Sequence, residues 1–196
     1  VNVSVGNSLY NTGELSISGA NSAALQASAE GVSVGAIASG ENISEMTGTL
    51  TTTVSAAGAQ AGSSLGSVAV RSSGYGNLDN ISFGAGGGLV GISPTAAETD
   101  TTLTTDTQTD ISGSWQAGSF TASATNSDDV DATADSFAAA VIGASGSEMT
   151  TKITHSAATN VTAAITTTGA QNYTAVNTVD HDVTLMGSGY GGATVN

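Results

Sequence analysis

The 196-residue chain carries 16 acidic and two basic residues, Arg71 and Lys152, for a formal charge of −14, and it has no cysteine. Without clustered cations it is expected to bind neither nucleic acid nor an anionic membrane surface, and without thiols it has neither disulfides nor thiolate metal sites. Charged residues make up only 9% of the chain, against roughly 25% in an average soluble domain, so the expected partners are cations, neutral glycans or another copy of the chain.

Val1, Val3 and Val5 open the chain already in strand alternation, as expected of a segment cut from something longer. No basic region precedes an apolar one, so a signal peptide is expected to be removed or to lie outside this segment. No apolar run reaches the length of a membrane span, and no membrane insertion is expected. Leu15, Ile17 and Gly19 then alternate with Ser16 and Ser18. The same period of two runs through Val32-Ser33-Val34, through Leu50, Thr52 and Val54, and through Val68-Ala69-Val70. Glycines at 58, 66, 74, 76, 113 and 118 punctuate these runs. Helical spacing of large apolar residues is absent beyond two turns. Ser and Thr supply 56 residues, yet there is a single proline, Pro94, and 39% of the chain is hydrophobic. That composition opposes disorder and predicts an all-β fold.

Candidate chemistry is sparse along the same path. The glycines of Gly84 to Gly88 lack the Lys-Ser/Thr that a phosphate cradle needs, and read as close packing. Between Thr99 and Thr109, Asp100, Asp106 and Asp110 read as an exposed face that prevents lateral aggregation. Flat Thr ladders here, at 51–53 and at 166–168, are a candidate surface for ordered water or sugars. The densest carboxylate cluster is Asp128, Asp129 and Asp131 with Asp135 nearby. At a turn such acids could hold a hard cation such as Ca2+ through oxygen ligands, or form a solvated turn. Lys152 and His155 fall on opposite strand faces, which suits no nucleophile–base pair. Asp180-His181-Asp182 could ligate a metal, or form a hydrated turn before a strand at Val183. Five Asn-x-Ser/Thr sequons, at Asn2, Asn42, Asn80, Asn160 and Asn172, are about what this composition produces by chance. No hydrolase elbow or metal-type His pair occurs, and the chain is expected not to be an enzyme.

Internal repetition organises these elements. The stretches beginning at Leu15, Val68, Phe120 and Val183 resemble one another, with starts 53, 52 and 63 residues apart. After the first three comes a Gly/Ala/Val run, and Ser44-Glu-Met-Thr47 returns as Ser147-Glu-Met-Thr150. The units are therefore 15–67, 68–119 and 120–182, with about ten residues inserted in the third and a fourth beginning at Val183. A period of this length fits one β-solenoid segment over 1–196, winding about two coils per unit. A β-sandwich is the alternative.

At 15–21, 29–40, 120–126 and 137–146 the chain resembles the repeat region of filamentous-haemagglutinin-type, leukotoxin-like bacterial adhesins. That resemblance implies a right-handed parallel β-helix, secretion through a two-partner outer-membrane pore, and a role in attachment or fibre formation at the cell surface. It makes host or cell-surface glycans or proteins, or self-association, the expected contacts. The family's amino-terminal secretion domain has no counterpart in the sequence. A self-assembling filament subunit and a glycan-binding or polysaccharide-active β-helix are the other readings. The last is opposed by Arg71 and Lys152 lying in different units.

Overall fold

A computed structural model describes residues 1–5, 13–35, 39–59, 65–88, 92–139, 142–190 and 193–195. Parts of the Gly/Ala/Val runs (36–38, 89–91 and 140–141) lie outside them. Nine strands cover most of the described residues, and no helix occurs among them: β1 Asn2–Val5, β2 Glu14–Gly35, β3 Gly40–Ala59, β4 Leu65–Gly88, β5 Ile92–Ala139, β6 Ile142–Val161, β7 Ala164–Thr167, β8 Gln171–Tyr190 and β9 Ala193–Val195. All pairing is parallel. The path runs β1-β3-β5-β4-β2, with β6, β7 and β8 joining through β5, and β9 through β6. The 48-residue β5 serves both faces. This is a parallel β-solenoid. Its two faces oppose each other as the layers of a sandwich would, but every ladder runs between successive coils.

The register gives the coil length. Leu15 pairs with Val68, and Val68 with Phe120, which are the residues that sequence similarity aligned. Each repeat is therefore one coil, not two, and successive coils stack at the inter-strand spacing of about 4.8 Å. The third unit has no insertion. Phe120 pairs with Gln171 and Ala132 with Val183, so the fourth unit begins at Gln171. The echo at Val183 is compositional. Likewise Ser44 pairs with Thr99 whereas Ser147 pairs with Ala97, so the returning tetrapeptide sits two positions out of register.

Strand alternation sorts the side chains as expected at Ile17, Gly19, Leu50, Val54, Val68 and Val70, all buried. It fails at Val32 and Val34, which are 73% and 81% exposed while Ser33 faces inward. The two faces approach closely there. A Cβ on Gly84 would stand 2.6 Å from the Ala96 carbonyl oxygen, so the inward positions go to small residues and the valines point out.

Two apolar clusters occupy the interior. One gathers Ile17, Val54, Val68, Val70, Ile111, Trp115 and Phe120. Trp115 and Phe120 meet edge to face at 5.6 Å, and the Trp115 indole N–H donates to the Ser112 carbonyl at 2.8 Å. The second cluster is Met46, Leu50, Leu78, Leu103 and Val130. Between and beside them lie buried polar layers. Ser72 and Thr109 hydroxyls share a hydrogen bond of 2.7 Å, and Thr107 donates to Asn126. The Asn126 amide donates to Asn177 in the next coil at 3.0 Å. Asn80 donates to the Ser44 and Asp100 carbonyls and to Thr101. Thr107, Thr109 and Asn126 find partners across the interior, whereas Thr52 Oγ1, Thr99 Oγ1 and Asn80 Oδ1 are buried without a hydrogen-bond partner.

Corners are turned by glycine. Gly13, Gly66, Gly118 and Gly169 follow at intervals of 53, 52 and 51. Gly66 N–H donates to Gly13, and Gly169 N–H to Gly118, at 2.8 and 2.7 Å. Gly113 has φ +80°, and a Cβ there would lie 1.9 Å from the Gly58 carbonyl oxygen. Gly113→Ala is therefore expected to destabilise the fold by at least about 1–3 kcal/mol, the cost of the left-handed conformation alone. Gly146→Ala is the control: a Cβ there meets nothing within 4 Å, and the change should stay within about 0.5 kcal/mol in denaturant unfolding.

Candidate functional site

The carboxylates that the sequence groups together are separated by the strand they occupy. Asp128, Asp129, Asp131 and Asp135 all lie within β5, not in a turn. Asp128 points into the interior and is 2% exposed, while Asp129, Asp131 and Asp135 lie on the outer face. A single cation cannot be shared by both faces of a strand, so the four do not converge. Among the described residues no group of three or more His, Asp or Glu side chains has metal-holding geometry. The same parity divides Asp180-His181-Asp182. It lies inside β8 rather than in a turn, with His181 in the inward column of Leu25, Leu78 and Val130, and both acids outward.

Stacking brings together acids that are far apart in sequence. The column Gln26–Asp79–Asp131–Asp182 runs beside Ala24–Asn77–Asp129–Asp180 on the outer face. Gln26 caps its column by donating to Asp79 at 2.8 Å. Asp131 sits in the middle of five carboxylates. Its pKa is raised above the ordinary 3.8, first by desolvation and then by the charges of Asp129, Asp182, Asp79 and Asp180. The sequence names Asp129 with Asp131 and Asp180 with Asp182 as separate pairs; aligning the fourth unit at Gln171 stacks one pair on the other.

Inside the third coil, Asp128 Oδ1 accepts from the Gly76 N–H at 3.2 Å and from the Thr105 hydroxyl at 3.0 Å. Its Oδ2 faces His155 Nδ1 at 3.7 Å, and neither atom has a hydrogen-bond partner. His155 reaches this position because it is inward on β6, stacked on Thr105, while Lys152 points out to solvent. The carboxylate lies between the hydroxyl and the imidazole. A nucleophile–base–acid relay requires the imidazole in the middle. The group's evident role is to satisfy the Gly76 and Thr105 donors.

The Thr-rich strand is likewise split. Thr99, Thr101, Thr105, Thr107 and Thr109 are buried, at most 1% exposed. Thr102 and Thr104 face outward with Asp100, Asp106 and Asp110. Along this strand the outward threonines belong to the columns Thr47–Thr102–Lys152 and Thr49–Thr104–Thr154; of the two triplets, Thr51, Thr53, Thr166 and Thr168 also face outward, while Thr52 is buried. Depressions in the described surface are shallow. One of about 250 Å³ is bordered by Glu41, Glu98 and Glu148 over Ala96 and Gly146. Another, about 210 Å³, lies beside Trp115 and Thr166.

No family model, curated protein or solved structure matches the chain.

Because its folded pKa is raised, Asp131 takes up a proton more readily in the folded chain than in the unfolded one. Its contribution therefore favours folding at low pH and is lost as pH rises from about 3.8 through the raised value. Asp131→Asn is expected to raise the melting temperature at neutral pH and to flatten this acid-range dependence. Added salt should shrink the gain. A variant no more stable than the parent at neutral pH and low salt would show that the acid columns do not repel.

Proposed function

We propose that the chain is a structural or adhesive segment of an extracellular bacterial surface fibre or adhesin passenger, and that it is not an enzyme. The observation that carries this reading is the continuous axial register, in which each coil of 50–55 residues lies on the one before. Such a stack can be lengthened coil by coil at constant cross-section, as a stalk requires. A side-chain-filled interior suits a spacer, since buried groups hold one another rather than a ligand. The outer face is acidic and poor in lysine and arginine. Contact with a host or neighbouring cell would then run through glycans, proteins or other copies of the chain. Export through an outer-membrane pore belongs to the same reading, because coils can be laid down in order as the chain emerges.

Immunogold electron microscopy of intact source cells tests this, using antibodies against the folded chain. Gold along structures outside the cell envelope is the expected result. Label that appears only after permeabilisation would overturn the proposal.

A further inference from the structure

The outer face built by β2, β4, the second half of β5 and β8 carries two stripes along the stack axis. One is the pair of acid columns described above. The other begins with the next column along each strand. Ile81 lies between Ser28 and Thr133, then Phe83 between Glu30 and Asp135, then Ala85 between Val32 and Phe137. Val32 and Val34 stand well out in solvent, whereas Ile81, Phe83 and Phe137 point outward but are half-buried. Parity puts these last three on the surface, since they belong to the middle coils and have a strand on either side. We propose that this face docks a segment of another protein that presents lysine or arginine beside apolar side chains. Its cations would lie over Asp79, Asp129 and Asp131, and its apolar groups over Phe83, Phe137 and Val32. The proposal rests on the adhesive reading above and names the partner's chemistry.

Charge selects that occupant. Neighbouring outward columns are about 6.6 Å apart along the strands, so carboxylates and apolar side chains fall within reach of one amphipathic segment. The chain cannot neutralise these acids itself, because Arg71 and Lys152 are its only basic residues. Arg71 faces outward on β4 eight residues before Asp79, about 26 Å along the strand, and Lys152 is on the opposite face. Among the described residues the one ion pair is the internal contact of Asp128 with His155. Repulsion between the columns is therefore unrelieved, and after desolvation it is what raises the Asp131 pKa. A cationic partner relieves it. A second copy brings no cation to this face. A bare metal ion would leave the apolar stripe without a role, and no three described acids converge on one. Exposed apolar patches rimmed by polar groups are where proteins meet partners, and complementary charge steers and orients the encounter.

Fluorescence anisotropy with two labelled synthetic peptides of equal length and charge tests this, one an amphipathic leucine–lysine peptide and the other its serine–lysine counterpart. The leucine–lysine peptide should bind the parent chain, and the serine–lysine peptide should bind at least about tenfold more weakly, equivalent to 1.4 kcal/mol. Asp79→Asn with Asp131→Asn, and separately Val32→Ser with Val34→Ser, should each cost a similar factor. Asp100→Asn with Asp106→Asn removes the same charge from the opposite face and should leave binding nearly unchanged. Circular dichroism checks that each variant is folded, and the two exposed valines put little packing at risk. No binding by the parent would overturn the proposal. So would an equal loss in the Asp100 and Asp106 pair, which would mean attraction to net charge alone, or equal binding of the serine–lysine peptide. A parent that dimerises in sedimentation velocity, and that the valine pair makes monomeric, would give the face to a second copy instead. None of these results alters where immunogold falls on cells, so the two readings fail separately.

Discussion

Parallel hydrogen bonding along the stack axis is the constraint on which everything else depends. Once Leu15, Val68, Phe120 and Gln171 share a column, every residue between the corners inherits its face from its neighbours above and below. Burial, charge and polarity then become properties of columns rather than of residues. Gln26 and Asp79 are 53 positions apart in sequence yet hydrogen-bonded. Asp131 owes its raised pKa partly to acids in three different coils. A strand slipped by one residue would turn each such column inside out.

The interior alternates apolar and polar layers, and the polar layers add specificity of register. Leucines and valines of the second cluster would tolerate small axial shifts. Asn126 would not, since it is bonded at once to Thr107, Thr105, Ser156 and Asn177. Gly74 keeps that place open. A Cβ there would come within 2.9 Å of Asn126, Thr105 and Thr107. Room for a large amide in one coil is thus supplied by a missing side chain in the next.

Much of this was legible in the sequence, and the failures have physical causes. Alternation and the 53- and 52-residue spacings gave the fold class and the true register of three coils. The fourth was misplaced because small-residue runs resemble one another in any register. The glycines that turn the corner, at 13, 66, 118 and 169, carried the correct phase and end at Gly169. Parity could have placed Asn126 and Asp128 inside, since both share the phase of Ala122, Ala124 and Val130. Reading polar residues as outward, and acid runs as turns, worked against it. At Val32 and Val34 the period was right and the side was wrong, because only the opposing face shows how little space the interior has there. The acid columns require the stack itself and are not local in sequence.

The coils are not all the same length, and the differences lie between strands. Pairing offsets pass from 53 for β2 on β4 to 55 for β3 on β5, then to 52 for β4 on β5 and 50 for β5 on β6. Within β2 on β4, β3 on β5 and β5 on β6 the offset is constant. Length is therefore negotiated at the corners, where no column has to be kept in phase. Such a chain can change by whole coils with little repair elsewhere, because a duplicated or deleted turn meets neighbours that already follow its column code. Unequal recombination between repeats would lengthen or shorten the molecule while preserving its cross-section. That makes the length of the stack a quantity that can vary without a new fold.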